Sequence, residues 1–215
     1  MTWSSRRLRV SIGLSVLFLV VYGGINAYTA TRPNVPSFFW EWERALPFVP
    51  LLILPYMSID LFFVLAPFVA KTEEEVTAFA RRVSFSIVVA GTCFLLVPLK
   101  FSFERPRTDG VMGAFFDWFR TLDAPYNQLP SLHIALAWFL MDIYMRRGPV
   151  WSRAAIAIWF SMIIASTVLT FQHHVIDVIG GALLAMAAVS LFRVRRNACQ
   201  PEIQESAPTM RSAAG

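Results

Sequence analysis

Six runs of predominantly apolar residues constrain this chain more than any other feature, at about 9–29, 46–70, 83–101, 131–146, 150–172 and 174–193. A helix crossing a bilayer needs roughly 20 such residues. Inside the hydrocarbon, every backbone N–H and C=O must be satisfied within the segment or its bundle. Apolar residues make up 56% of the 215 residues and charged residues 15%, against about 45–50% and about 25% in soluble domains. The runs therefore predict an all-α integral membrane protein, a six-transmembrane-helix bundle over residues 1–194. A polar, small-residue-rich tail at 195–215 is expected to be disordered. The second run holds Pro47, Pro50, Pro55 and Pro67, so its helix should kink or begin late. The first run is long for a signal-peptide core and AYTA is a poor cleavage site, which favours an uncleaved anchor.

Charge placement predicts orientation. Arg6, Arg7 and Arg9 precede the first run, Lys71, Arg81 and Arg82 follow the second, Arg146, Arg147 and Arg153 follow the fourth, and Arg193, Arg195 and Arg196 follow the sixth. Short loops rich in Lys and Arg stay in the cytoplasm. Both termini and the tail are thus expected to be cytoplasmic, with 30–45, 102–130 and 172–174 on the opposite, periplasmic or lumenal face; a bacterial inner membrane is the expected location. The net charge of +5 is spent on these flanks, so no nucleic-acid partner is expected. Arg105, Arg107 and Arg120 sit against this rule, accompanied by Glu104, Asp109, Asp117 and Asp123. Cys93 and Cys199 suggest neither a disulfide framework nor a metal cluster. Nothing in the sequence specifies an oligomeric state.

The same non-cytoplasmic face collects the titratable chemistry. In TFQHHVIDVIGG, His173 and Asp177 are four positions apart at the start of the sixth run, on one face of the expected helix. A carboxylate there can hold the proton on one imidazole nitrogen and leave the other as a nucleophile. His174 would point about 100° away, which weighs against sharing that role and against a metal site made with its neighbours. His133, in LPSLHIALA, opens the fourth run, where an imidazolium could protonate a leaving oxygen. Arg105 and Arg107, in KFSFERPRTDG, offer forked donors suited to phosphate oxygens. Each residue also has a plain structural reading: an interfacial histidine, a solvated arginine, or an aspartate capping a helix. Asp60 lies near the middle of the second run, where an ionisable group costs roughly 3 kcal/mol or more; it could bond within the bundle or reach the site. SFFWEWER, at 37–44, reads as an interfacial belt, and Gly180 and Gly181 read as close-packing positions.

At these residues the chain resembles the type 2 phosphatidic acid phosphatase superfamily, six-span membrane enzymes with the signatures Lys-x6-Arg-Pro, Pro-Ser-Gly-His and Ser-Arg-x5-His-x3-Asp. The counterparts here are KFSFERPR from Lys100 to Arg107, Pro130-Ser131-Leu132-His133, and Ser166-Thr167 followed through VLTFQ by His173 and through HVI by Asp177. The resemblance implies a metal-free, cofactor-free phosphoenzyme mechanism. In it His173 attacks phosphorus, Asp177 orients it and His133 protonates the departing oxygen. Lys100, Arg105, Arg107, Ser131 and Ser166 would hold the phosphate, with Asp60 and His174 in support. The proline follows Arg105 whereas the spacing selects Arg107, so either arginine fits. Leu132 stands for the signature glycine and Thr167 for its second arginine. Ser-Leu-His with His-His-x-x-x-Asp looks like the inositol phosphorylceramide and sphingomyelin synthase branch, whose substrates are less charged diesters. The expected function is a lipid phosphate or diphosphate phosphatase, since hydrolysis needs one substrate site rather than two; the alternatives are a lipid headgroup phosphotransferase and a non-enzymatic proton-coupled transporter using Asp60, His133, His173 and Asp177 as a relay.

Overall fold

The computed structural model describes residues 3–122 and 124–194. The tail at 195–215, with Arg195, Arg196 and Cys199, lies outside the described residues, as does Asp123. Among those described, all regular structure is helical. Helix α1 (Trp3–Phe18), a π-helical turn (Leu19–Gly23) and α2 (Gly24–Ala30) form one rod, Trp3–Ala30. Two 3-10 turns, Glu41–Ala45 and Pro50–Leu52, lead into α3 (Ile53–Val69). Then follow α4 (Glu73–Leu96), α5 (Gly110–Leu122), α6 (Leu132–Met145), α7 (Val150–Leu169) and α8 (Val175–Leu191).

Four helical stretches are long and apolar enough to cross a membrane, Trp3–Ala30, Pro50–Val69, Glu73–Leu96 and Val150–Leu169. The fourth and sixth apolar runs form the shorter helices α6, of 14 residues, and α8, of 17. Large apolar side chains such as Leu19, Leu61, Leu96, Ile158 and Leu183 face outward. An outer surface of that kind suits hydrocarbon and not water.

Several boundaries move for local reasons. The second span does begin late: Pro50 opens a 3-10 turn, where a proline lacks no needed donor, and the α-helix starts at Ile53. Helix α4 begins about ten residues before the expected run, because Thr72 caps it, its hydroxyl accepting from the Glu75 N–H at 3.1 Å, and Glu73, Glu74 and Glu75 favour the positive end of the helix dipole. It ends at Leu96, before Pro98, whose ring disfavours helical backbone at Val97. Arg82, expected in a basic loop, is consequently inside α4 and only 5% exposed.

Helix α5 was not expected within the 102–130 segment. It is amphipathic, and its buried Phe116 and Phe119, one turn apart, pack on Ile53 and Tyr56 at the start of α3 as a small second core. Arg120 on α5 is absorbed locally by Asp117, at 3.4 Å, and the Pro106 carbonyl, at 3.0 Å.

The main core is centred on α6, whose Ala135, Ala137, Phe139 and Leu140 are buried between α3, α4, α7 and α8. Lipid tails are as apolar as leucine, so close packing and interhelical hydrogen bonds hold such a bundle. The tightest seam is α6 against α8. A methyl group on Gly180 would lie 2.6 Å from Leu129 Cδ1, and one on Gly181 would lie 2.8 Å from Ile134 Cβ and collide with the Ser131 carbonyl oxygen. Gly181→Ala is therefore expected to cost about 1–3 kcal/mol, as overpacking does. A lowered thermal unfolding midpoint in detergent would register it; an unchanged midpoint would mean the seam is not tightly packed.

Candidate active site

The α7–α8 turn is built by its own hydroxyls and one carbonyl. Ser166 and Thr167 donate to the Ile163 and Ile164 carbonyls at 2.6 and 2.7 Å, so both hydroxyls are spent inside α7. Phe171 turns the chain at φ 56°. The N–H groups of Gln172 and His173 then both donate to the Thr167 carbonyl, at 3.1 and 2.8 Å. This settles His173 in the turn, and α8 starts only at Val175, with His174 as its extended N-cap.

The expectation that His173 and Asp177 share a helix face is corrected accordingly: His173 precedes the helix. The turn nevertheless brings its Nδ1 to 3.6 Å from Asp177 Oδ2, within ion-pair reach and beyond a hydrogen bond. The same carboxylate oxygen accepts the His174 N–H at 2.8 Å and so caps α8. Asp177 thus caps α8, as one reading of it expects, and lies beside His173 without the hydrogen bond that the other reading calls for. His173 Nδ1 is buried and makes no hydrogen bond among the described residues.

Helix α6 is delivered to this turn by its own cap. Ser131 Oγ accepts the Ile134 N–H at 3.4 Å, and the Ser131 N–H donates to the Asp177 carbonyl at 3.0 Å. That second bond joins the first turns of α6 and α8 and sets the His133 and His173 rings 6.2 Å apart between centroids. His133 stacks on Tyr56, with centroids 4.2 Å apart, and the tyrosine hydroxyl lies 3.4 Å from its Nδ1. Beside His133 and Tyr56 a cleft of about 410 Å³ opens between α1–α2, α3 and α5, lined in part by Tyr22, Asn26, Asp60 and Phe119. Asp60 therefore shares a cleft with His133, and His173 does not line it.

The basic residues divide. Arg105 Nε donates to the Phe171 carbonyl at 2.8 Å, pinning its loop to the turn that carries His173. Lys100 and Arg107 are exposed, and neither side chain makes a hydrogen bond or ion pair among the described residues. The backbone of Lys100 is held by the Pro36 carbonyl at 2.9 Å. No group of three or more His, Cys, Asp or Glu among the described residues is placed to hold a metal ion.

Glu43 was read from sequence only as part of an aromatic belt, and in the structure it is a keystone. It is 1% exposed. Its Oε1 accepts the Trp40 N–H at 2.9 Å, and its Oε2 accepts the Val175 N–H at 3.0 Å and meets His174 Nδ1 at 3.1 Å. The Ser102 N–H donates to His174 Nε2 at 3.3 Å, so Nε2 carries no proton and Nδ1–H donates to Glu43. Burial holds the His174 imidazole below its ordinary range, with the Glu43 carboxylate acting the other way. Phe101 and Phe39 stack on its two sides, at 4.3 and 5.4 Å between centroids. The SFFWEWER segment is thus only half belt: Phe38 and Trp42 face outward, whereas Phe39 and Glu43 clamp His174. Three consecutive aromatic positions before an acidic pair give no sequence signal for such a long-range partner.

A family model described as the PAP2 superfamily matches residues 52–191. The chain belongs to the PAP2 superfamily. With the apolar helices, membership makes it an integral membrane protein of a family whose activity is phosphatase-type, on phosphate esters. The matched region runs through α3 to α8 and includes His133, His173, Asp177 and all three basic candidates, whereas Glu43 lies before it. Searches of curated proteins and of solved structures gave no match.

Removing Glu43 leaves two part-buried N–H groups and a buried imidazole N–H without an acceptor, the buried one alone a cost of about 1–3 kcal/mol. Glu43→Ala is expected to destabilise the protein by several times more than Ser102→Ala, which spares the Ser102 N–H bond to His174. Parallel thermal melts in detergent check the order, and equal midpoints for the two variants would contradict it.

Proposed function

We propose that this protein cleaves lipid phosphate esters through a phosphohistidine at His173. The observation that carries this reading is the convergence of two imidazoles from two helix starts, His133 and His173, with Asp177 and the Arg105 loop attached to the same turn. In the first half-reaction the free nitrogen, Nε2 of His173, bonds to phosphorus. The P–O bond to the lipid alcohol breaks, and His133 gives that oxygen a proton. Asp177 beside Nδ1 stabilises the positive charge that develops on the ring. In the second, water attacks the phosphohistidine, His133 takes its proton, and phosphate leaves with the P–N bond broken. The nonbridging oxygens are neutralised by guanidinium and ammonium groups in place of a metal ion. Arg105 is favoured over Arg107 as the principal phosphate ligand, because its loop is bonded to the His173 turn. Ser166 supports the site through its backbone, since its hydroxyl donates within α7, whereas Ser131 caps α6 as an acceptor and keeps its O–H to donate to the phosphate. In this reading α6 and α8 are the fourth and sixth spans, both termini are cytoplasmic, and the histidines face the opposite side.

A second reading, transfer to an alcohol as in the inositol phosphorylceramide and sphingomyelin synthase-like branch, is favoured by one feature. The cleft beside His133 offers space for an acceptor that hydrolysis does not need.

The purified protein, given lipid phosphates and diesters labelled at phosphorus and quenched in alkali, is expected to carry label that His173→Ala abolishes. His133→Ala should slow turnover about 10²–10⁴-fold, the usual worth of general acid–base catalysis, and Arg105→Gln should impair it more than Arg107→Gln. Label released as free phosphate supports hydrolysis, and label passed to a second lipid supports transfer. Absence of labelled protein and of turnover with every lipid would overturn the enzymatic reading.

A further inference from the structure

At the end of the bundle away from His173, the last turns of α6 and α8 and the first turn of α7 surround a cavity of about 810 Å³ against α4. Four arginines, Arg82, Arg146, Arg153 and Arg193, line it with a single carboxylate, Asp142. That carboxylate is already committed: Oδ2 lies 3.4 Å from Arg82 Nη1, and Oδ1 lies 2.7 Å from Arg146 Nη2. Buried Arg82 is aimed by a further bond from Nε to the Phe192 carbonyl at 3.1 Å, and its Nη2 has no partner among the described residues. Arg153 and Arg193 are exposed and likewise make no ion pair or hydrogen bond among them.

Membrane orientation alone does not account for this arrangement. It needs basic residues in the loops, not an arginine buried within α4 and three more around one cavity. Two other arginines at this end are neutralised, Arg6 by Glu73 at 3.2 Å and Arg147 by Glu75. The cavity also has an apolar wall, Trp138, Met141 and Val189, which a soluble anion would not use. Trp138 is open to the bundle's exterior at 39% exposure.

We propose that this cavity binds the headgroup phosphate of an anionic phospholipid from the surrounding leaflet, with its chains along the Trp138 wall. Forked guanidinium donors match phosphate oxygens, and basic pockets between spanning helices suit such headgroups. One bound lipid would bridge α4, α6, α7 and α8, so it stabilises the folded bundle in proportion to its occupancy. The site is separate from the two histidines and does not depend on the reaction assigned to them.

The test is thermal unfolding in a neutral detergent with added phosphatidylglycerol, phosphatidylcholine or inorganic phosphate. Wild type, His173→Ala and the double variant Arg153→Gln/Arg193→Gln are compared. Phosphatidylglycerol is expected to raise the midpoint of wild type and of His173→Ala, and phosphatidylcholine and phosphate to leave both in place. The double variant should need roughly thirtyfold more phosphatidylglycerol for the same shift. Each single variant should need about fivefold more, which gives a readout even if the double variant folds poorly. An undiminished response in the arginine variants overturns the proposal, as does an equal response to phosphatidylcholine or to phosphate alone. A response abolished by His173→Ala would move the lipid to the histidine site and overturn it equally.

Discussion

The hydrogen bond from the Ser131 N–H to the Asp177 carbonyl ties two helix starts together, and the candidate site follows from it. Helix N-termini have N–H groups without intrahelical acceptors, and here one helix's start satisfies the other's. The contact is close enough to require Gly180 and Gly181 on α8, so backbone meets backbone with no side chain between. His133 leaves α6 one residue after its first turn begins, and His173 leaves the chain two residues before α8 begins. Joining the two starts therefore brings the two imidazoles together.

Two adjacent histidines have different environments because of what lies outside the α7–α8 turn. His174 is held at both ring nitrogens, by Glu43 and Ser102, and between aromatic rings. Such a ring is fully committed to structure. His173, its neighbour, keeps Nδ1 without a hydrogen bond and lies beside a carboxylate and a second imidazole. The clamped ring of the first fixes the turn in which the second sits. The loop that supplies Ser102 also supplies Arg105, so the same chain segment clamps the scaffold and brings a guanidinium to the turn.

What was legible in the sequence is what local pattern encodes. The apolar runs, the all-helical class and the motif residues His133, His173 and Asp177 could be read off, and Gly180 and Gly181 were rightly taken as packing positions. Arg82 was misplaced because a basic pair resembles a loop, and nothing local reveals that Asp142 and the Phe192 carbonyl hold it inside the bundle. Helix α5 was missed because its apolar face is short and its charges suggested a loop; its partners, Ile53 and Tyr56, lie far back in the chain. The His173–Asp177 proximity was right for a reason that was wrong. It comes from a turn at Phe171 and not from helical spacing.

By itself the sequence determined that the chain belongs in a membrane and to which superfamily its motifs point, because hydropathy and motif spacing are properties of neighbours along the chain. Only the tertiary structure decided which histidine is free and which is clamped, that Arg105 and not Arg107 is bonded to the His173 turn, and that Glu43 completes the scaffold. Each of those outcomes is a contact between residues tens of positions apart. A buried polar group takes whichever partner the packing brings within reach.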